Sequence, residues 1–153
     1  MTLTQHIIMM LATGFYVGKI PVGPGTFGTI AGLVFVFLLS LAPLPAVPAI
    51  LALIVGLSIW VAHEAERQIG TTDPGCIVID EIAGVMVGLA GIPFEFWPVL
   101  AGFVVFRVLD ISKPFPIRWL DKKLPGGPGI VADDVVAGIL TNFIVRGAMA
   151  MVS

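Results

Sequence analysis

The stretch Ala49-Ile-Leu-Ala-Leu-Ile-Val-Gly-Leu-Ser-Ile-Trp-Val-Ala-His-Glu-Ala-Glu66 decides the fold. It is apolar almost throughout and turns acidic only at its end. With histidine neutral, no residue in 20–63 carries a formal charge. That run is too long for one bilayer crossing, which takes about 20 residues. Pro43, Pro45 and Pro48 divide it, and proline inside a helix costs about 3 kcal/mol. The run therefore predicts two helices, over residues 27–41 and 49–66.

Working outward, the same reasoning covers the whole chain. Residues 3–16 fit a short amphipathic helix, and Tyr16-Val-Gly-Lys-Ile-Pro-Val-Gly-Pro-Gly25 breaks regular structure. Beyond the loop at 68–75, helices are predicted over 77–89, 97–111 and 132–149, with a tight turn at 91–95 and a polar, basic, glycine-rich loop at 113–130. Hydrophobic residues make up 58% of the chain before its 18 glycines are counted, and only 12% of residues are charged. Ordinary soluble domains carry about 25% charge, and a small fold exposes much of its surface. The expectation is an all-α protein, a compact bundle of four to five short apolar membrane helices plus the N-terminal amphipathic one. Residues 1–153 read as one domain. Gly28/Gly32 and Gly84/Gly88 have the small-xxx-small spacing that lets helix backbones approach closely. A net charge of -2 and the lack of a basic patch with interleaved aromatics exclude a nucleic-acid partner. The single Cys76 excludes an intrachain disulfide or a thiolate metal cluster.

Alternating the helices across a bilayer gathers charge on one face. Lys19, Arg67, Lys113, Arg118, Lys122 and Lys123 fall there, and the Lys/Arg bias makes that face cytoplasmic. Asp80, Glu81, Asp110, Asp133 and Asp134 fall on the same face, at helix ends. One reading is local: Asp80 and Asp133 cap helix starts, with Glu81 and Asp134 as first-turn acids favoured by the helix dipole. Capping does not account for Asp110, which lies at a helix C-terminus where the dipole disfavours an anion. The other reading brings all five together around a cation. Oxygen ligands without cysteine favour Mg²⁺ or Mn²⁺, and Mg²⁺ suits phosphate chemistry.

Cationic groups complete the pattern. Arg107, Asp110 and Lys113 are three apart and share a helix face. Arg107 interrupts an apolar run, so it either clamps an anion such as phosphate or pairs with a carboxylate. Lys113 can hold phosphate as a point charge, while Arg118, Lys122 and Lys123 suit anionic headgroups. Backbone N–H groups of Pro24-Gly-Thr-Phe-Gly-Thr29, which includes Thr26, Gly28 and Thr29, and of Gly126-Gly-Pro-Gly129 can hold a phosphate or form plain turns. Neither is a nucleotide P-loop, His63-Glu64 lacks the second histidine of a zincin, and no Cys-x₅-Arg loop or serine elbow is present.

Several separated segments together resemble the phosphatidylglycerophosphatase A family of bacterial membranes. They are Pro24-Gly-Thr-Phe-Gly-Thr29, Ile79-Asp-Glu-Ile-Ala-Gly84, Arg107-Val-Leu-Asp-Ile-Ser-Lys-Pro114 with Pro116-Ile-Arg-Trp-Leu-Asp121, and Gly126-Gly-Pro-Gly-Ile-Val-Ala-Asp-Asp134 with Ala137-Gly138. The resemblance implies Mg²⁺-dependent hydrolysis of phosphatidylglycerophosphate to phosphatidylglycerol and inorganic phosphate, in phospholipid synthesis at the bacterial inner membrane. It implies metal or water ligation by Asp80, Glu81, Asp133 and Asp134. Asp110 becomes a further ligand or an acid/base group, and Arg107 and Lys113 become phosphate binders. Membrane lipids are the implied partners, and the oligomeric state stays open. Competing functions are a lipid headgroup phosphotransferase, a cation carrier and a non-enzymatic partner subunit. The phosphotransferase signature Asp-Gly-x-x-Ala-Arg is absent, and a carrier would place its carboxylates near mid-membrane.

Overall fold

The structure is a computed structural model and describes residues 2–152. A capping box starts α1, Leu3–Ala12: the Thr2 hydroxyl accepts from the Gln5 amide, and the Gln5 side chain accepts from the Thr2 amide. The helix stops short of residue 16 because Gly14, Phe15 and Tyr16 all adopt positive φ. Gly23 at φ 64° and Pro24 then start α2, Pro24–Ser40, three residues before the predicted position. Proline suits a first turn, where its missing N–H costs nothing. α3, Val47–Ile69, carries Pro48 in its first turn and ends on Gly70 in the left-handed region. The predicted helices at 77–89 and 97–111 appear as α4, Ile79–Leu89, and α5, Phe96–Ser112.

The segment 113–130 departs most from expectation. It holds a short helix, α6, Ile117–Lys123, and the first turn of α7, Gly126–Val152. Glycines that read as a loop are helical here, and neighbouring chain leaves no room for side chains on them. A Cβ on Gly127 would collide with Ile59 O, and one on Gly129 with Leu124 O. Asp133 and Asp134 therefore lie about 10 Å along a continuous helix rather than at its start. They cap nothing.

α4 is the axis of the bundle. Eleven residues give it a length of about 16 Å, half the hydrocarbon thickness of a bilayer. Nine of its residues are buried, enclosed by α2, α3, α5 and α7. Glycines permit this: a Cβ on Gly138 of α7 would collide with Gly84 O, and one on Gly32 of α2 would lie 2.5 Å from Val85 Cγ1. Both predicted glycine pairs thus sit at helix crossings, Gly84/Gly88 of α4 against α7 and Gly28/Gly32 of α2 against α4. The C-terminal carbonyls of α4 are met by side chains of α7. Asn142 Nδ2 donates to Gly88 O and Ala90 O at 3.0 Å, and Arg146 Nη2 donates to Ala90 O at 3.0 Å.

Around this axis the outer helices turn apolar side chains outward. Leu53, Phe96, Trp97 and Phe143 are 70–75% exposed. Two helical segments, Leu44–Ile69 and Gly126–Val152, are long and apolar enough to cross a membrane. Among the described residues there is no strand, and the bundle is all-α as its sequence predicts.

Candidate active site

The first turn of α4 carries Asp80 and Glu81, at the positive end of the helix dipole. The N-cap position is Val78, and no side chain caps the helix. α7 crosses beside this turn and brings Asp133 and Asp134, each 3% exposed. One carboxylate oxygen from each of Asp80, Glu81 and Asp134 lies within 4.8 Å of the others. Three oxygens this close could be shared by one small divalent cation.

A cavity of about 160 Å³ opens among these groups. Asp80, Glu81, Asp110, Asp133 and Asp134 all line it, together with Lys113 and Asp73. The five acids singled out in the sequence therefore converge. Asp80 Oδ1, Glu81 Oε2, Asp133 Oδ1 and Asp134 Oδ2 are buried without a hydrogen-bond partner. Buried carboxylate oxygens left so are costly, and an all-oxygen donor set fits a hard divalent cation. The residues present fit Mg²⁺ on both counts.

Two cations border the acids. Arg107, 14% exposed, pairs through Nη1 with Asp110 and donates to Thr29 Oγ1 at 3.4 Å, while its Nε has no partner. Pairing with a carboxylate is thus realised, and a donor is left over for an anion. Lys113 Nζ lies 2.7 Å from Asp133 Oδ2 and 3.0 Å from Asp121 Oδ1. Burial alone would lower its pKa, but Asp133 and Asp121 outweigh that and hold the ammonium above the usual lysine range. Asp133 is consequently held by Lys113 and stands apart from the trio of Asp80, Glu81 and Asp134.

The Pro24–Thr29 segment reaches the site unevenly. Gly25 packs directly on Glu81 and Arg107, with no space for a Cβ. Thr29 is fully buried and donates to Gly25 O at 2.9 Å. Thr26 is half-buried on the same turn. Gly28 faces Val78 in the contact between α2 and α4, where a Cβ would lie 2.6 Å from Val78 Cβ.

Three residues of the site are given no role of their own by the sequence. Gly25 and Asp121 stand only as members of the Pro24–Thr29 and Pro116–Asp121 segments, and Asp73 reads as a plain loop acid. Asp73 adopts φ 46° in the Asp73-Pro-Gly75 turn, and its amide donates to Glu66 Oε1 at 3.2 Å. Burial raises its pKa above the ordinary value, with Lys113 acting against the shift. Only the turn-forming Asp-Pro-Gly could have marked it out.

Fold and site together define a class: a small helical bundle with an apolar exterior and a buried acidic centre flanked by cations. Comparison with known proteins narrows it. The family model described as Phosphatidylglycerophosphatase A matches residues 10–149. Phosphatidylglycerophosphatase A of Escherichia coli is 39% identical over 86% of this chain and 77% of its own length. The protein of the same name from Haemophilus influenzae is 43% identical over 90% of this chain and 86% of its own. A Bacteroides thetaiotaomicron protein, provisionally named a phosphatidylinositol-3-phosphatase, is 34% identical over 92% of each chain. No solved structure matches. The chain belongs to the phosphatidylglycerophosphatase A family.

Proposed function

We propose that this protein is a membrane-embedded, Mg²⁺-dependent phosphatase that hydrolyses phosphatidylglycerophosphate to phosphatidylglycerol and inorganic phosphate. Family membership supports the reaction. The observation that carries the mechanism is the convergence of Asp80, Glu81 and Asp134 within 4.8 Å, with buried oxygens unsatisfied. These three would hold the ion, and Asp133 would support it from its bond to Lys113. Bound Mg²⁺ supplies charge neutralisation at the phosphate and lowers the pKa of water.

The chain's own groups do the rest. Arg107 holds the phosphate monoester through the donors that Asp110 leaves free, and the pairing fixes its guanidinium in place. Lys113, held by Asp133 and Asp121, adds positive charge beside the acids. A carboxylate of the cluster accepts a proton from the attacking water and returns it to the lipid's alcohol oxygen as the P–O ester bond breaks. Apolar outer helices keep the lipid tails in the bilayer while the headgroup meets the cavity. The Lys/Arg bias supports a cytoplasmic orientation of the site in a bacterial inner membrane, and the reaction fits a step of phospholipid synthesis.

The test is phosphate release by the purified protein from phosphatidylglycerophosphate, with Mg²⁺ and with chelator, beside phosphatidylinositol 3-phosphate as a rival. Release from the first substrate, abolished by chelator and restored by Mg²⁺, is expected. Chelator-resistant release overturns the metal, and preference for the inositol lipid overturns the substrate.

A further inference from the structure

One face of α5 changes character along its length. Phe96, Val99 and Phe103 are followed, at helical spacing, by Arg107 and Asp110. α2 runs alongside and changes in the same place, from Leu33 and Ile30 to Thr29. The two helices pack sparsely on each other. Between them lies a largely apolar groove of about 400 Å³, lined by Ile30, Leu33, Phe96, Val99 and Phe103, with Glu95 at the end away from Arg107. The hydrogen bond from Arg107 to Thr29 bridges the helices just where the charged groups begin. One turn earlier on α2, Gly25 touches both Arg107 and Glu81. The groove thus ends at Phe103, one helical turn before Arg107, which pairs with Asp110 of the acidic cavity.

The geometry points to this groove as the seat of one acyl chain of the lipid substrate, placing its phosphate at Arg107. The inference rests on the lipid-phosphatase reading. Only an amphiphile with a phosphate at one end and a hydrocarbon chain at the other matches both halves of the stripe. From Phe96 to Phe103 the groove runs about 10 Å along α5. Its volume falls in the range of about 300–1,000 Å³ usual for ligand pockets. Lipid tails are as apolar as leucine, so in a bilayer the groove gains little from hydrophobic transfer. Its contribution is positional: a seated chain fixes the approach of the headgroup, and orientation at the reacting centre governs rate.

Two arms test this. The first compares kcat/KM for diacyl phosphatidylglycerophosphate and for its deacylated, water-soluble headgroup. Leu33→Trp and Val99→Trp each fill the groove and should lower the ratio of the two values several-fold, mainly through KM on the diacyl substrate. Leu53→Trp, on the outward face of α3, should leave the ratio unchanged. A ratio unaffected by either groove variant, whether both rates fall or neither does, overturns the proposal. The second arm needs no turnover, so it separates this inference from the functional reading. A long-chain alkyl phosphate with a photoreactive tail should label Leu33, Phe96 or Val99. Plain hexadecyl phosphate should compete with it, and hexadecanol should not. Labelling that neither competes, as bulk membrane lipid would give, overturns the proposal, and so does absence of labelling, as a second chain seated there would give. Competed labelling by a protein that hydrolyses neither lipid upholds the groove and sinks the phosphatase reading.

Discussion

Lys113 adopts a left-handed backbone conformation at the end of α5, with φ 44°. The ammonium bridges Asp133 of α7 and Asp121 of α6 from there. Lys113→Met removes the charge, keeps the length and leaves Asp133 buried beside the other acids. It should cost about 2–3 kcal/mol of stability, read as a fall in the thermal midpoint in detergent, and should depress phosphate release. An unchanged midpoint would show that solvent already compensates Asp133. Arg107→Ala should impair release far more than Arg118→Ala, because Arg107 is buried among site groups and Arg118 is exposed. Equal rates for the two variants would remove Arg107 from the mechanism. Asp80→Asn and Asp134→Asn should each nearly abolish release with helical content intact, since neither residue caps its helix. Near-normal rates across a Mg²⁺ titration would end the shared-cation mechanism. The acids of this site were legible in the sequence because charge is conspicuous inside apolar helices. Asp73 and Asp121 were not, because their positions depend on how loops fold back, and neighbouring residues do not encode that.

At the scale of elements, glycine separates helices that touch from helices that face outward. Gly138→Ala would force a Cβ into Gly84 O at the crossing of α4 and α7. Overpacking of this kind costs about 1–3 kcal/mol. Gly56→Ala, mid-helix in α3 with nothing within 4 Å of the added carbon, should instead stabilise by about 0.5–1 kcal/mol. Thermal unfolding of the pair in detergent checks this, and shifts of the same sign would mean that the crossing relaxes freely. The long apolar helices were readable from their hydrophobic runs. α6 and the first turns of α7 were not, because glycine and proline usually signal a loop. Here close packing and the first-turn tolerance of proline reverse that signal.

For the whole molecule, length and exposure point the same way. α3 and α7 are long enough to cross a bilayer, α4 is too short and is buried, and the outer surface is apolar. The protein should stay with membranes through high-salt and carbonate washes. Recovery of monodisperse chain in the detergent-free wash would overturn the membrane placement. The burial of Asp134 has a further consequence. It is carried on α7 where that helix packs against α4, so the two backbones hold the acids close together. Their repulsion is a standing charge against the native state, and an ion that binds only the native state lifts it by mass action. Thermal stability should therefore become a gauge of free Mg²⁺, rising with its concentration in the wild type and flat in Asp134→Asn. On that view the persistence of the fold depends on the ion proposed for its chemistry.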